Sequence, residues 1–469
     1  MKDGSLKDGS GKRGPAKPGS APRPAPKPSG ARVRAVEALR KVLETGRPAA
    51  PLVGELSRGL SPADADLLRE LVLGVLRWKA GLDAEIAAVS RIPLKKLAPN
   101  LREILEVALY QLRHLDRIPP YAAVSEAVTH ARASGGEGAS KLVNGVLRGI
   151  LLLPGPVEPP PDASAEAVAR YFSHPAFLVE RWMTRLGPEE TRRVLAADNV
   201  PPRLDLLANP RRTTRDALVS ALASEGVEAV RSPLTHLGLT AVAGNPLRSP
   251  LLAAGHFTVQ DLGAQVLPLL LPPGELLVDL ASAPGGKSMS ALGHGRARKT
   301  IALDVSYGRL RRVAENARRL DAAATPVAAD LESLPLPVGR FDRVLLDAPC
   351  SGTGTLRKNP EIRYRVTTEA IERLAGRQER WLAAAAALLA PGGWLVYSTC
   401  SLEPEENERV VERVCARVEG LSPTPIEPPS GLAPFVQGAR LQLLPDDRVD
   451  GFTAHLLRRA GPTSAPVGP

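Results

Sequence analysis

Two of the three cysteines stand in segments whose residue types suit covalent chemistry. Cys350 lies in Asp347-Ala-Pro-Cys-Ser-Gly-Thr-Gly354, and Cys400 in Ser398-Thr-Cys-Ser-Leu-Glu-Pro-Glu-Glu-Asn407, each directly after an apolar, strand-like run. Two thiols at neighbouring strand mouths fit a reaction in which one adds to the substrate and a second group assists release. Carbon 5 of cytosine needs such help. It is too weak a nucleophile to take a methyl group until a thiolate adds to carbon 6 and makes carbon 5 enamine-like. The proton on carbon 5 must then leave, and the enzyme-base bond must break. Asp347 is suited to hydrogen-bond the ring at nitrogen 3 or at its amino group, holding charge off the ring during attack. Spacing alone leaves open which cysteine attacks. Cys415, within Glu408-Arg-Val-Val-Glu-Arg-Val-Cys415, reads as helix packing, the usual role of a free cysteine.

A methyl donor must sit beside the thiols. The segment Asp279-Leu-Ala-Ser-Ala-Pro-Gly-Gly-Lys287 follows another apolar run, and Gly285 and Gly286 let the backbone approach a ligand closely at a helix N-terminus. It is neither the GxGxxG of dinucleotide enzymes nor a P-loop, whose leading glycine is missing. Asp304 comes 25 residues after Asp279, where a Rossmann-like fold carries its ribose-binding carboxylate. Asp330 ends the third run and Asp347 the fourth. Four acids or glycine loops at four successive strand ends point to a cofactor bearing an adenosine, and a sulfonium supplies the methyl. Enzymes that methylate exocyclic amino groups carry [DN]PP[YFW] at the fourth position. Asp-Ala-Pro-Cys favours carbon chemistry instead.

The runs Glu-Leu-Leu-Val-Asp279, Thr-Ile-Ala-Leu-Asp304, Thr-Pro-Val-Ala-Ala-Asp330, Phe-Asp-Arg-Val-Leu-Leu-Asp347 and Gly-Gly-Trp-Leu-Val-Tyr-Ser-Thr399 alternate with helical stretches. Such alternation predicts a mostly parallel, doubly wound α/β sheet, which binds ligands at the carboxyl ends of its strands. This domain is assigned to 256–460. Residues 31–155 read as an all-α bundle of four or five helices. Leu101, Leu105, Ala108, Leu109 and Leu112 form one stripe, and Ser61-Pro62 makes a good helix start. The proline-rich stretch Leu153-Pro-Gly-Pro-Val-Glu-Pro-Pro-Pro161 interrupts regular structure. Residues 165–255 mix helical stretches with strand-like Arg203–Ala208 and Val227–Ser232, giving a small α+β segment.

At 469 residues the chain is long enough for two or three domains. Its net charge of +11 is less informative than it looks. Residues 1–34 hold nine Lys or Arg against two Asp, which leaves +4 for the remaining 435 residues. Residues 1–30 and 461–469 read as disordered tails. No apolar run reaches the roughly 18 to 20 residues of a membrane span, and no apolar secretory stretch opens the chain, so a soluble cytoplasmic protein is expected. Three cysteines without CxxC spacing indicate reduced thiols and no metal site.

These motifs resemble those of the bacterial RNA cytosine-5 methyltransferases of the Sun type, also called Fmu or RsmB. The resemblance runs from about residue 33 to 459. It rests on DLASAPGGK, LDVS, LLDAPCSGTG with RKNPEIR, and YSTCSLEPEENE in order and spacing, with FTVQDLGAQ at Phe257–Gln265 and YFSHPAFLVERW at Tyr171–Trp182. It implies that Cys400 attacks and Cys350 assists release, and that Ala281, Ser282, Ala283, Pro284, Gly285, Gly286, Lys287, Asp304, Asp330 and Asp347 hold S-adenosyl-L-methionine. ALYQLRHLDRIPPYAAVSEAV and KLVNGVLR are similar to the RNA-binding antitermination factor NusB, and this appended bundle implies small-subunit (16S) ribosomal RNA as partner. The chain departs from the family at Ala281-Ser-Ala283 and Ser288, which stay small, and at Leu206-Leu-Ala-Asn209, where the family's LRVN arginine is missing. A monomer is expected. The alternatives are the same chemistry on tRNA, which mapping the modified base distinguishes, and a noncatalytic RNA-binding or ribosome-assembly factor, which predicts a decayed catalytic half.

Overall fold

The computed structural model describes residues 30–429 and 431–461. The two tails read from the sequence therefore lie outside the described residues, apart from Gly30 and Gly461. Helices α1 (Gly30–Thr45), α2 (Ala49–Leu56), α3 (Pro62–Val89), α4 (Pro99–His114) and α5 (Pro120–Leu151) form the amino-terminal bundle. The hydroxyl of Ser61 accepts from the Asp64 amide at 3.1 Å and caps α3, and Pro62 occupies a first-turn position that needs no amide donor. Leu105, Ala108 and Leu109 on α4 are buried, with Leu101 and Leu112 packed against the same core. Buried Glu106 accepts from Arg102 and from Lys79, and Lys79 also pairs with Asp83, so the charges inside the bundle compensate one another. No helix or strand occurs between Leu151 and Ala165, as the prolines there require. No helix among the described residues is long and apolar enough to cross a membrane.

The segment 165–255 divides between two cores. Its helices Ala165–Phe172, Ala176–Leu186 and Pro188–Asp198 bury Leu178, Val179 and Trp182 against Leu356, Ile362, Ile371 and Leu402 of the carboxy-terminal domain. Beyond them, β1 (Leu204–Ala208), β2 (Glu228–Arg231), β3 (Gly238–Ala243) and β4 (Phe257–Val259) form an antiparallel sheet in the order β2-β3-β1-β4. The boundary between 255 and 256 read from the sequence is thereby displaced. Leu206 pairs with Val259 and Ala208 with Phe257, so the small sheet takes its edge strand from the segment assigned to the next domain. Three residues are too few to show alternation, and only the hydrogen bonds reveal the strand.

The larger sheet contains β5 (Gly274–Asp279), β6 (Ala297–Asp304), β7 (Ala324–Ala328), β8 (Phe341–Asp347), β9 (Leu389–Thr399), β10 (Leu421–Pro423), β11 (Val436–Gln437), β12 (Arg440–Leu443) and β13 (Phe452–Arg459). Its order is β11-β12-β13-β9-β8-β5-β6-β7, with β10 also paired to β13. The five strands from β5 to β9 are parallel, and β10 to β13 extend the sheet antiparallel beyond β9. Separate apolar cores cover its two faces, which explains the near-continuous hydrophobic runs of the parallel strands. The connections reverse direction between β5 and β8, opening the crevice at which such sheets bind ligands. Asp279 and Asp347 are the last residues of those two strands.

Candidate active site

Cys350 follows β8 and Cys400 follows β9, and the structure brings their Sγ atoms to 3.3 Å. The loops are laced together. Ser351 Oγ lies 3.1 Å from Ser401 Oγ, the Leu402 amide donates to Thr353 Oγ1 at 2.9 Å, and the Gly354 amide donates to the Cys400 carbonyl at 2.9 Å. Gly352 turns this loop with φ of 75°, and a Cβ there would meet Ile362 Cδ1 at 2.9 Å and Cys400 Sγ at 3.9 Å. Glycine thus satisfies both the backbone and the close approach of Ile362. The hydrogen bond to Cys400 and burial push the Cys350 thiol well above the ordinary range, so Cys350 keeps its proton at neutral pH. Cys415 lies apart, on the helix Glu408–Cys415 and against the core of one sheet face.

Asp347 stands beside the pair with both oxygens engaged. Lys287 Nζ is 2.5 Å from Oδ2, and Ser398 Oγ donates to Oδ1 at 2.9 Å. Burial opposes the Lys287 charge, but Asp347, and behind it Asp279 and the Cys400 sulfur, raise its pKa above the ordinary value. The ammonium therefore links the cofactor loop to the cysteine loops.

The cofactor loop runs Ala281–Lys287 between β5 and the helix Gly286–Gly293. Gly285 adopts φ of 101°, and a Cβ on Gly286 would stand 3.3 Å from the Gln260 carboxamide carbon. Asp279 is fully buried. Burial pushes its pKa up to about 6, against the hydrogen bond from Ser288 Oγ at 2.7 Å, and Ser288 also meets Ser282 at 2.9 Å. Asp304 is buried and accepts from the Ser306 amide at 2.8 Å and from Arg309 at 2.7 Å. Asp330 differs from its sequence reading. It is exposed, two residues beyond the end of β7, and accepts from the Glu332 amide at 2.9 Å, because the chain turns there instead of extending the strand. Two polar groups beside the cradle have no partner among the described residues: both carboxamide atoms of Gln260 and Oδ1 of Asp279. A glycine-lined cradle, buried carboxylates and an unsatisfied carboxamide fit a polar adenosine-bearing ligand. No group of three or more His, Cys, Asp or Glu arranged to hold a metal occurs among the described residues.

Several contributors lie outside the residues named from sequence. Gln260 sits in the recognised FTVQDLGAQ segment, yet nothing local marks its carboxamide as facing the cradle. Glu403, three residues after Cys400, accepts from Trp182 Nε1 at 2.9 Å and Arg181 Nε at 3.0 Å, docking the helix Ala176–Leu186 beside the Cys400 loop. The RKNPEIR segment joins all the parts. Arg363 donates to the carbonyls of Arg77, Ser173 and Asp198 and to Asn199 Oδ1, while Arg357 pairs with Asp450, and Lys358 with Asp450 and Asp261.

The family model described as "16S rRNA methyltransferase RsmB/F" matches residues 266–458, "NusB family" matches 29–151, and "Methyltr_RsmF/B-like, ferredoxin-like domain" matches 174–246. A Synechocystis protein described as "Probable ribosomal RNA small subunit methyltransferase B" is 37% identical over 422 residues, covering 86% of this chain and 92% of that protein. The "Ribosomal RNA small subunit methyltransferase B" of Pasteurella multocida is 34% identical over 91% of this chain and 96% of its own length. Among solved structures, PH0851 superposes with a TM-score of 0.74 at 25% identity, covering 92% of this chain and 99% of that one. A "Methyltransferase Homolog Protein" from Pyrococcus horikoshii gives 0.53 at 28% identity, over 62% of this chain and 97% of that one. The chain belongs to the ribosomal RNA small subunit methyltransferase B family.

Proposed function

We propose that this chain methylates carbon 5 of a cytosine in small-subunit ribosomal RNA, with Cys400 as nucleophile, Cys350 assisting release and S-adenosyl-L-methionine as donor. The observation that carries the reading is the pair of thiols at 3.3 Å beside the Lys287–Asp347 ion pair. A route that needed no covalent adduct would have no use for two facing sulfurs.

The protein groups divide the work. Lys287 supplies positive charge near the Cys400 sulfur, whose electron pair forms the bond to carbon 6. Asp347, fixed by Lys287 and Ser398, orients the ring at nitrogen 3 or its amino group. The cofactor, held by Ala281–Lys287, Asp304 and Gln260, supplies an electrophilic methyl group, while Asp330 stands at the exposed rim. In release, water takes the proton from carbon 5. The C–H pair becomes the restored carbon 5–carbon 6 double bond, and the pair of the carbon 6–sulfur bond leaves on Cys400. The Cys350 S–H donates a hydrogen bond to that emerging thiolate.

RNA is supported by the helical bundle packed on the catalytic domain through Arg363 and Arg77. Bisulfite sequencing of RNA from cells with and without the gene tests the reading: loss of one 16S cytosine signal is expected. Loss of a tRNA signal instead would redirect the substrate, and no change in any RNA would overturn the proposed activity.

A further inference from the structure

Two buried side chains grip the backbone on either side of Cys350. Gln378, on the helix Thr368–Leu388, donates from Nε2 to the Pro349 carbonyl at 3.0 Å and to Glu406 Oε1 at 3.0 Å. Glu406 Oε1 also accepts from the Ser351 amide at 2.8 Å, and Oε2 accepts from the Ser351 hydroxyl. Both side chains belong to residues with no solvent exposure. Glu406 lies six residues after Cys400, and its own carbonyl accepts from the Tyr397 hydroxyl at 2.6 Å. The residue that grips the Cys350 loop is thus itself anchored to the strand that leads into Cys400.

We propose that Glu406 and Gln378 are positioning residues that hold Cys350 in register against Cys400 for the release step. This rests on the release role of Cys350. Burying a carboxylate is costly unless several donors meet it, and here the donors come from Ser351 and Gln378. An apolar pair of similar size would fill the space without that cost, but it would leave the Pro349 carbonyl and Ser351 amide without these partners and the thiol free to drift. A hydrogen bond between two sulfurs is weak, so their separation must be imposed by the flanking backbone. Glu406 also has an electrostatic effect. After the hydrogen bond to Cys400 and burial, its negative charge further disfavours a Cys350 thiolate and so keeps the proton on the releasing group.

The test uses the full-length protein with a 16S RNA transcript and S-adenosyl-L-methionine, comparing Glu406→Ala, Glu406→Gln and Gln378→Leu with Cys350→Ala. Cofactor binding verifies folding, and denaturing gels report covalent protein-RNA complex. For Glu406→Ala and Gln378→Leu, kcat falls on the order of 10- to 100-fold, the scale expected when a reacting group is displaced by about 1 Å. KM falls in parallel, because adduct formation is untouched, and adduct accumulates as it does in Cys350→Ala. Glu406→Gln, which retains an acceptor for the Ser351 amide, recovers most of the turnover. Should Glu406→Ala fail to bind cofactor, Gln378→Leu decides. Variants that bind cofactor but lose turnover without adduct, or that turn over normally, overturn the proposal. If Cys350→Ala itself traps no adduct, the release reading fails and takes this inference with it.

Discussion

At the carboxyl ends of β8 and β9 the carboxylates of Asp347 and Glu406 and the hydroxyls of Ser351, Ser398 and Ser401 all find protein partners, whereas beside β5 the Gln260 carboxamide and one Asp279 oxygen find none. The cysteine half is complete within the chain, as the proposed covalent role requires, since reacting atoms supplied by the protein must be held in place before substrate arrives. The cofactor half keeps buried polar atoms unpaired, a cost that a ligand bearing hydroxyls and an adenine would offset. On the proposed roles, preorganisation and unmet hydrogen bonding mark two kinds of site, one for reaction and one for binding.

The largest effect that tests this contrast is at the thiols. Cys400→Ala abolishes methyl transfer from labelled cofactor, while Cys350→Ala still forms the covalent protein-RNA complex and accumulates it on denaturing gels. Both retain cofactor affinity, since neither thiol belongs to the cradle. Adduct in Cys400→Ala instead would exchange the two roles.

The rigidity of the cysteine half depends on the junction beyond it. Arg363→Met removes a buried guanidinium and leaves the Asp198 carbonyl and Asn199 Oδ1 without it, costing about 3–5 kcal/mol in chemical denaturation. A loss under about 1 kcal/mol, the scale of an exposed ion pair, would mean that apolar packing alone joins the parts.

On the cofactor side, Gln260→Leu removes the unpaired carboxamide. If that group binds the ligand, calorimetry shows cofactor affinity weakened about 10- to 100-fold, the equivalent of one buried hydrogen bond lost. Unchanged affinity would break the contrast, leaving Gln260 as packing against Gly286. The remaining test concerns pH. The Asp279 pKa rises from 3.8 to about 6 on folding, so the native state holds a proton that the unfolded chain releases. That contribution is fully present below about pH 4 and is lost as pH climbs to about 6. Relative to wild type, Asp279→Asn therefore gains stability across this window, about 1.4 kcal/mol for each pH unit between the two pKa values, in denaturation series at pH 4 and pH 7. A difference that does not vary with pH would show Asp279 to be ionised throughout.

Much of this molecule was legible in the chain itself. Strand-ending Asp279, Asp304 and Asp347, the glycines of the cofactor loop and both cysteines are local signals, since residue type and position at a strand end are set by neighbours in sequence. The Ser61-Pro62 helix start and the proline break are equally local. Only the strand end was misplaced at Asp330, because an acid after an apolar run looks the same whether the strand continues or turns. Tertiary structure alone decided what depends on residues far apart in the chain: the 3.3 Å between the sulfurs of Cys350 and Cys400, the clamp of Gln378 and Glu406, Gln260 against Gly286, and the placement of β4 in the small sheet. Those relations are fixed by packing and hydrogen bonds between elements, and no periodicity or spacing encodes them.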